Sequence, residues 1–181
     1  MPDKTIPRPW LPFLHEIDDL LTEETHFNCL GGFVMTQLYG SPRETSDIDF
    51  LTIIGNRDGI IEYAGEGSKL HKKYGVYLDS VGVAITPEDY EERLTEMYPG
   101  IFKKLRILAL DPYDIVLTKI ERNAQVDRED VEYLAEAIPL DLNILRKRYE
   151  DELRVYVKNE LREGQTLDLW IEMIEEVRGV V

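Results

Sequence analysis

Leu30-Gly31-Gly32, followed by Leu38-Tyr39-Gly40-Ser41-Pro42-Arg43-Glu44-Thr45-Ser46-Asp47-Ile48-Asp49, decides how this chain is read. Phe27 to Leu30 is a short apolar strand stopped by Gly31-Gly32, and Phe33 to Tyr39 reads as a short buried helix ended by Gly40. Residues 41–46 form a loop, and Asp47 to Ile54 is a strand rich in β-formers that closes at Gly55-Asn56. Aspartates at i and i+2 of a strand share one face, with Cα atoms about 6–7 Å apart. Two carboxylates so placed are unfavourable unless a cation or proton compensates. The apolar run Phe50-Leu51-Thr52-Ile53-Ile54 argues for an inner strand rather than a solvated edge. Mg2+ (or Mn2+) meets the need, because it takes oxygen ligands from one or two carboxylates plus substrate phosphates.

Working outward, Val76 to Ile85 is a further apolar strand whose only acid is Asp79. An acid there needs a partner, either the same metal or a Lys or Arg. The Gly31-Gly32 bend lets backbone N–H groups approach phosphate oxygens, with a helix N-terminus adding positive potential. Each signal alone is weak; strand, Gly-Gly, helix, loop, Asp-x-Asp strand and a next strand with Asp carry weight together.

The remaining chain supplies the frame. Residues 10–25 repeat apolar positions at helical spacing, and residues 58–73 read as a helix weakened by Gly65 and Gly67. Thr86-Pro87-Glu88-Asp89 reads as a helix start, Leu105 to Leu110 as a strand, and Asp111-Pro112 as another helix start. Helices follow at 127–138, at 141–161 after Pro139, and at 166–178 after Gly164. The expectation is an α/β (α+β) fold in a single domain over residues 1–181. Residues 1–110 make the mixed-sheet core and 111–181 a helical C-terminal layer.

Composition narrows the classes. Apolar residues at 43% and charged residues at 31% describe a globular chain, and the apolar runs are too short to span a membrane. The segment Met1 to Pro9 has no apolar core fit for a secretion signal, so cytoplasmic residence is expected. A single cysteine, Cys29, excludes a disulfide framework and a cysteine-based zinc site; it reads as a buried small hydrophobe. The three histidines, His15, His26 and His71, share no metal-ligand spacing. Thirty-six acids against 21 bases give a net charge of −15, which repels nucleic acid at long range. Nucleotide or RNA must then be held by metals or by small basic clusters. Lys69/Lys72/Lys73, Lys103/Lys104/Arg106 and Arg146/Lys147/Arg148 are the available ones, each also readable as a solvated face.

The segment Leu30 to Asp49 resembles the signature of nucleotidyltransferases of the polymerase-beta superfamily, especially the abortive-infection-toxin-like branch and its uncharacterised bacterial relatives. A second match covers Leu110-Asp111-Pro112-Tyr113-Asp114-Ile115-Val116-Leu117-Thr118-Lys119-Ile120-Glu121-Arg122 and then Asp127-Arg128-Glu129-Asp130. The resemblance implies a mixed-sheet nucleotidyltransferase core. In it Gly31 and Gly32 contact the triphosphate, the Asp47 and Asp49 pair binds metal, and Arg43 and Thr45 belong to the nucleotide site; Asp79 joins the metal ligands by its place in the strand order, the local motif around it being loose. It implies that Lys119 contacts nucleotide phosphate and joins the catalytic set, with Arg122, Asp127 and Asp130 as additional functional candidates. Gly32 stands where many members have serine, and Val126 where many of the branch have arginine.

Plainer roles compete. Arg43 can salt-bridge Glu44 or the aspartates, Lys119 can be a solvated helix lysine, and Asp127 and Asp130 can be an N-cap and an acidic first turn. At the level of function, the first reading is transfer of a nucleoside monophosphate from a nucleoside triphosphate to an RNA (a tRNA end), protein or small-molecule hydroxyl, as the toxin of a toxin–antitoxin pair with an antitoxin partner. The alternative is a catalytically inactive nucleotide-binding or regulatory module of the same fold. A third is a partner-binding protein that uses the helical tail.

Overall fold

A computed structural model describes residues 5–82 and 84–179. Met1 to Lys4, part of the segment read for a secretion signal, and Val83, within the expected strand Val76 to Ile85, lie outside the described residues. The helical spacing near the N-terminus forms α1 (Trp10–Leu20), which buries Phe13, Leu14 and Ile17. Trp10 is also buried, edge-on to Phe33 at 4.8 Å between ring centroids. The polar side of α1 is tied down by Asp18, whose carboxylate accepts the backbone N–H groups of Lys103 (2.9 Å), Lys104 (2.7 Å) and Leu105 (2.7 Å).

Next come β1 (Thr25–Leu30), α2 (Gly31–Gln37) and β2 (Asp47–Ile54). The two glycines open α2 rather than precede it, and Leu30 is its N-cap residue. The helix expected over 58–73 is two, α3 (Ile60–Ala64) and α4 (Lys69–Tyr74). Chain direction changes at Gly65, and Ser68 starts the second helix by accepting the His71 N–H at 3.1 Å. β3 (Tyr77–Ser80) is shorter than the expected strand to Ile85. The helix expected from Thr86 is only a 3-10 turn at Tyr90–Arg93, and β4 (Thr95–Met97) follows it unforeseen. β5 (Leu105–Ala109) completes a five-stranded sheet in the order β3-β2-β1-β5-β4. β1 runs antiparallel to β2 and parallel to β5; β2 and β3 are parallel, and β4 and β5 antiparallel. This is the mixed sheet of the expected α/β architecture.

One face of the sheet is buried; the other is open along β2, β3 and β5 but covered at Asn28 and Leu30 of β1. Phe27, Cys29, Ile48, Phe50, Leu78, Leu105, Ile107 and Ala109 alternate inward and are buried. The intervening Asp47, Asp49, Thr52, Arg106 and Leu108 are partly exposed, and Asp79 is exposed. Between β1 and β2 the pairing passes from Asn28↔Thr52 to Cys29↔Phe50, so Leu51 is an extra residue in a bulge.

The chain divides into two compact units. One takes in the chain to Gly82 together with Leu94–Leu110; the other takes in the segment to Arg93 and everything from Asp111 onward. In the second, Asp111 caps α5 (Pro112–Thr118) by accepting the Asp114 N–H at 2.9 Å. Then come α6 (Gln125–Ala137), α7 (Leu142–Arg148), a π-helical turn at Tyr149–Leu153, a 3-10 turn at Arg154–Tyr156 and α8 (Glu160–Val177). The single helix expected over 141–161 is therefore interrupted. α8 starts ahead of Gly164 and runs through it, because Asn159 caps it by accepting the Arg162 N–H at 3.0 Å. Arg93 bonds both oxygens of Asp114 (2.9 and 3.0 Å) and Glu152 (2.7 and 3.2 Å), joining the 3-10 turn to α5 and the π-helical turn. Trp170, in the apolar interior of this unit, donates its indole N–H to Asn123 at 3.2 Å. No helix among the described residues is long and apolar enough to cross a membrane.

Candidate metal and nucleotide site

The open face of the sheet gathers the acids of the first unit. Asp47 and Asp49 stand on β2, an inner strand, and Asp79 faces Asp49 in the parallel register of β3. Each of the three offers a carboxylate oxygen, and these atoms all lie within 4.8 Å of one another. Asp79 differs from the expectation in one respect: β3 is an edge strand and Asp79 is exposed, so no cost of burial forces a partner on it. What marks it is its register with Asp49.

Gly31 and Gly32 are shaped by the same cluster. Gly31 has φ +74°, the left-handed region, and a β-carbon there would lie 2.0 Å from Asp49 Oδ2. Gly32 has no unusual φ, but a β-carbon would meet the Thr45 hydroxyl at 2.7 Å and an Arg43 guanidinium nitrogen at 3.1 Å. Only glycine lets the backbone at the start of α2 come this close to the loop and to β2. The Thr45 hydroxyl in turn donates to Asp47 Oδ1 at 2.8 Å, which orients that carboxylate. Thus Gly31, Gly32, Arg43, Thr45, Asp47, Asp49 and Asp79 come together on one unit. The three carboxylates, converging beside a bend that any β-carbon would fill, fit a hard divalent cation such as Mg2+ or Mn2+ and its phosphate ligands.

Lys119, Arg122, Asp127 and Asp130 belong to the second unit and form a cluster among themselves. Lys119, expected on an amphipathic helix and reaching for phosphate, is 7% exposed; its ammonium donates to Asp130 at 2.8 Å and lies 3.5 Å from Asp127. Arg122, 66% exposed, grips Asp127 through two nitrogens at 2.5 and 2.8 Å. Asp127 also accepts the Ala124 N–H at 2.9 Å. That is the returning half of a capping box, since the alanine at the cap has no side-chain oxygen to complete it. Burial works to raise the Asp127 pKa, but Arg122, the Ala124 N–H and Lys119 outweigh it and leave it below the ordinary value.

Each basic cluster has members engaged within its own unit, while Lys69, Lys72 and Lys103 are exposed. Lys73 pairs with Glu16, and Arg106 with Glu24 at 3.1 Å and Glu96 at 3.6 Å. Lys104 donates to the Leu21 carbonyl. Arg146 pairs with Asp168 at 2.8 Å, Lys147 with Asp151, and Arg148 with Asp111 and Asp114. His26 meets Glu24, and His71 Nδ1 accepts the Gly67 N–H. Cys29 is buried, and burial together with the charge of Asp49 pushes its thiol pKa far up, which leaves it inert as a nucleophile.

One polar residue of the open face is not foreseen from the sequence. Asn28 is buried in β1, and neither its amide nitrogen nor its amide oxygen has a hydrogen-bond partner among the described residues. The available signal was an amide inside the apolar run Phe27 to Leu30.

Neither the curated proteins nor the solved structures contain a match to the chain. A family model described as a nucleotidyltransferase of unknown function (DUF6036) matches residues 13–178, both units included. The carboxylates, the glycine bend and Thr45 fall inside that span, and the chain belongs to this nucleotidyltransferase family.

Proposed function

We propose that this protein is a metal-dependent nucleotidyltransferase, moving a nucleoside monophosphate from a nucleoside triphosphate to an acceptor hydroxyl. The observation that carries the reading is the convergence of Asp47, Asp49 and Asp79 oxygens within 4.8 Å, against a glycine bend that approaches Asp49 closely. These three carboxylates would hold Mg2+ or Mn2+. A divalent ion, when bound, supplies neutralisation of phosphate charge and a lowered pKa for the acceptor hydroxyl.

The chain's own groups do the positioning. Thr45 holds Asp47 by its hydrogen bond, and the bare backbone of Gly31 and Gly32 leaves room for phosphate oxygens beside it. Arg43, whose guanidinium lies beside Gly32, would bind phosphate oxygens in this reading. In the reaction the acceptor oxygen forms a bond to the α-phosphorus, the bond to the bridging oxygen breaks, pyrophosphate leaves, and the hydroxyl proton passes to solvent. Lys119 stands outside this set in our reading, because two buried carboxylates already engage its ammonium. The abortive-infection-like motif around Arg43 and Thr45 favours an RNA acceptor, a tRNA end, with a cytoplasmic antitoxin as partner; a protein or small-molecule hydroxyl would use the same chemistry.

The test is incubation with each labelled triphosphate, Mg2+ or Mn2+, total RNA and lysate. Label should enter one fraction with wild-type protein and not with Asp49→Ala, while both variants keep the same circular dichroism. Equal labelling by both would refute the mechanism. Metal-dependent triphosphate binding with no transfer to any fraction would favour the nucleotide-binding or regulatory module instead.

A further inference from the structure

Asn28 is 1% exposed, and its amide has no hydrogen-bond partner at either end among the described residues. Strand alternation fixes its direction. β1 pairs with β5 in unbroken register from Thr25↔Leu105 to Cys29↔Ala109, so His26, Asn28 and Leu30 share a face. Leu30 stands opposite Asp49, and Asn28 opposite Thr52 and beside Leu108. The amide thus belongs to the carboxylate face, about 6–7 Å along the strand from the position that meets Asp49. A buried amide left unbonded destabilises a fold, whereas leucine, of nearly the same size, would not. Groups of this kind call for an explanation outside the folded chain's own contacts.

Resting on the nucleotide-binding reading above, we infer that Asn28 binds the nucleoside half of the triphosphate through the edge of its base. The two sides of Asp49 are unlike. Asp79 lies on the exposed outer strand, the side open to a large acceptor, and Asn28 lies on the central strand, the side suited to a small and desolvated group. With the phosphates at Gly31, Gly32 and the carboxylates, the sugar and base extend along β1. There the primary amide presents a donor and an acceptor side by side, the pattern with which asparagine addresses a base edge. Thr52 and Leu108, its partly exposed neighbours on β2 and β5, are the side chains that a base would have to displace to reach the amide.

Calorimetry with Mn2+ and each of ATP, GTP, CTP and UTP, set beside inorganic tripolyphosphate, tests this on wild type, Asn28→Leu and Asn28→Ala. Asn28→Leu should melt higher than wild type without ligand. Both variants should bind at least one nucleoside triphosphate about tenfold more weakly, with tripolyphosphate affinity unchanged. Wild-type affinity for all four triphosphates in both variants overturns the inference. So does an equal loss for tripolyphosphate, or a lower melting temperature of Asn28→Leu with binding intact, which would make the amide a structural group that holds a buried water. Wild-type protein that binds neither tripolyphosphate nor any nucleotide removes the nucleotide-binding reading itself, a result distinct from the other three.

Discussion

Gly31 shows how little room the site leaves at the scale of single residues. Its φ of +74° disfavours any side chain, and the space a β-carbon would need is held by Asp49 Oδ2. Gly31→Ala should lose roughly 1–2 kcal/mol from the backbone alone. It should also displace Asp49, so that Mn2+ binding by calorimetry weakens more than stability accounts for. Lys119 gives the opposite expectation. Lys119→Met would remove the ammonium that the buried carboxylates of Asp127 and Asp130 share, at a cost of about 3–5 kcal/mol in urea unfolding. Affinity for metal and triphosphate, measured on the folded fraction, should stay at the wild-type value. A large loss of affinity with little loss of stability would restore the phosphate-contact role. Asp47 and Asp49 were legible because an i, i+2 pair on a strand has one geometric meaning. Asn28 was not, because an amide within an apolar run reads equally well as a bonded core residue.

Among the elements, α1 is held to the start of β5 by one side chain. Burial works to raise the Asp18 pKa, but the N–H groups of Lys103, Lys104 and Leu105 outweigh it, helped by nearby His15, and the carboxyl stays below its ordinary value. Because the folded pKa is the lower one, the stability from this carboxylate is complete above the unfolded value near 4 and lost as pH falls through the folded value. The stability gap between wild type and Asp18→Asn, from urea unfolding, should therefore shrink between pH 6 and pH 3. Asp18→Ala, which leaves three backbone donors without an acceptor, should cost about 2–4 kcal/mol at pH 7. β2 matched its sequence signal because alternation and the Gly55 stop are local cues. β4 did not: Thr95–Met97 is a strand only because β5 offers it an edge to pair with. The Thr86 helix start gave only the 3-10 turn at Tyr90–Arg93, and the N–H groups of Glu88 and Asp89 bond to Glu152 far along the chain.

For the whole molecule, the net charge of −15 sets the background against which the site works. Self-repulsion destabilises the folded chain, and salt screens it. Melting temperature should rise as NaCl increases from about 10 mM to 150 mM, where the Debye length is near 8 Å. A flat or falling curve would mean that the many ion pairs outweigh the net field. Divalent cations should do more at far lower concentration, since binding at 100 times the dissociation constant adds about 2.7 kcal/mol. The shift should vanish in Asp47→Asn/Asp49→Asn, whereas a general screening effect would persist in it.

Charge, the mixed α/β class, the Asp-x-Asp strand and the glycine bend were set by the sequence alone, because each depends on composition or on spacing within a few residues. The pairing of β3 with β2, which brings Asp79 to Asp49, was decided by tertiary structure. So were the burial of Lys119 between two carboxylates and the unbonded amide of Asn28. In each of these the deciding neighbour comes from another element, and hydrogen bonding and desolvation act through space, not along the chain.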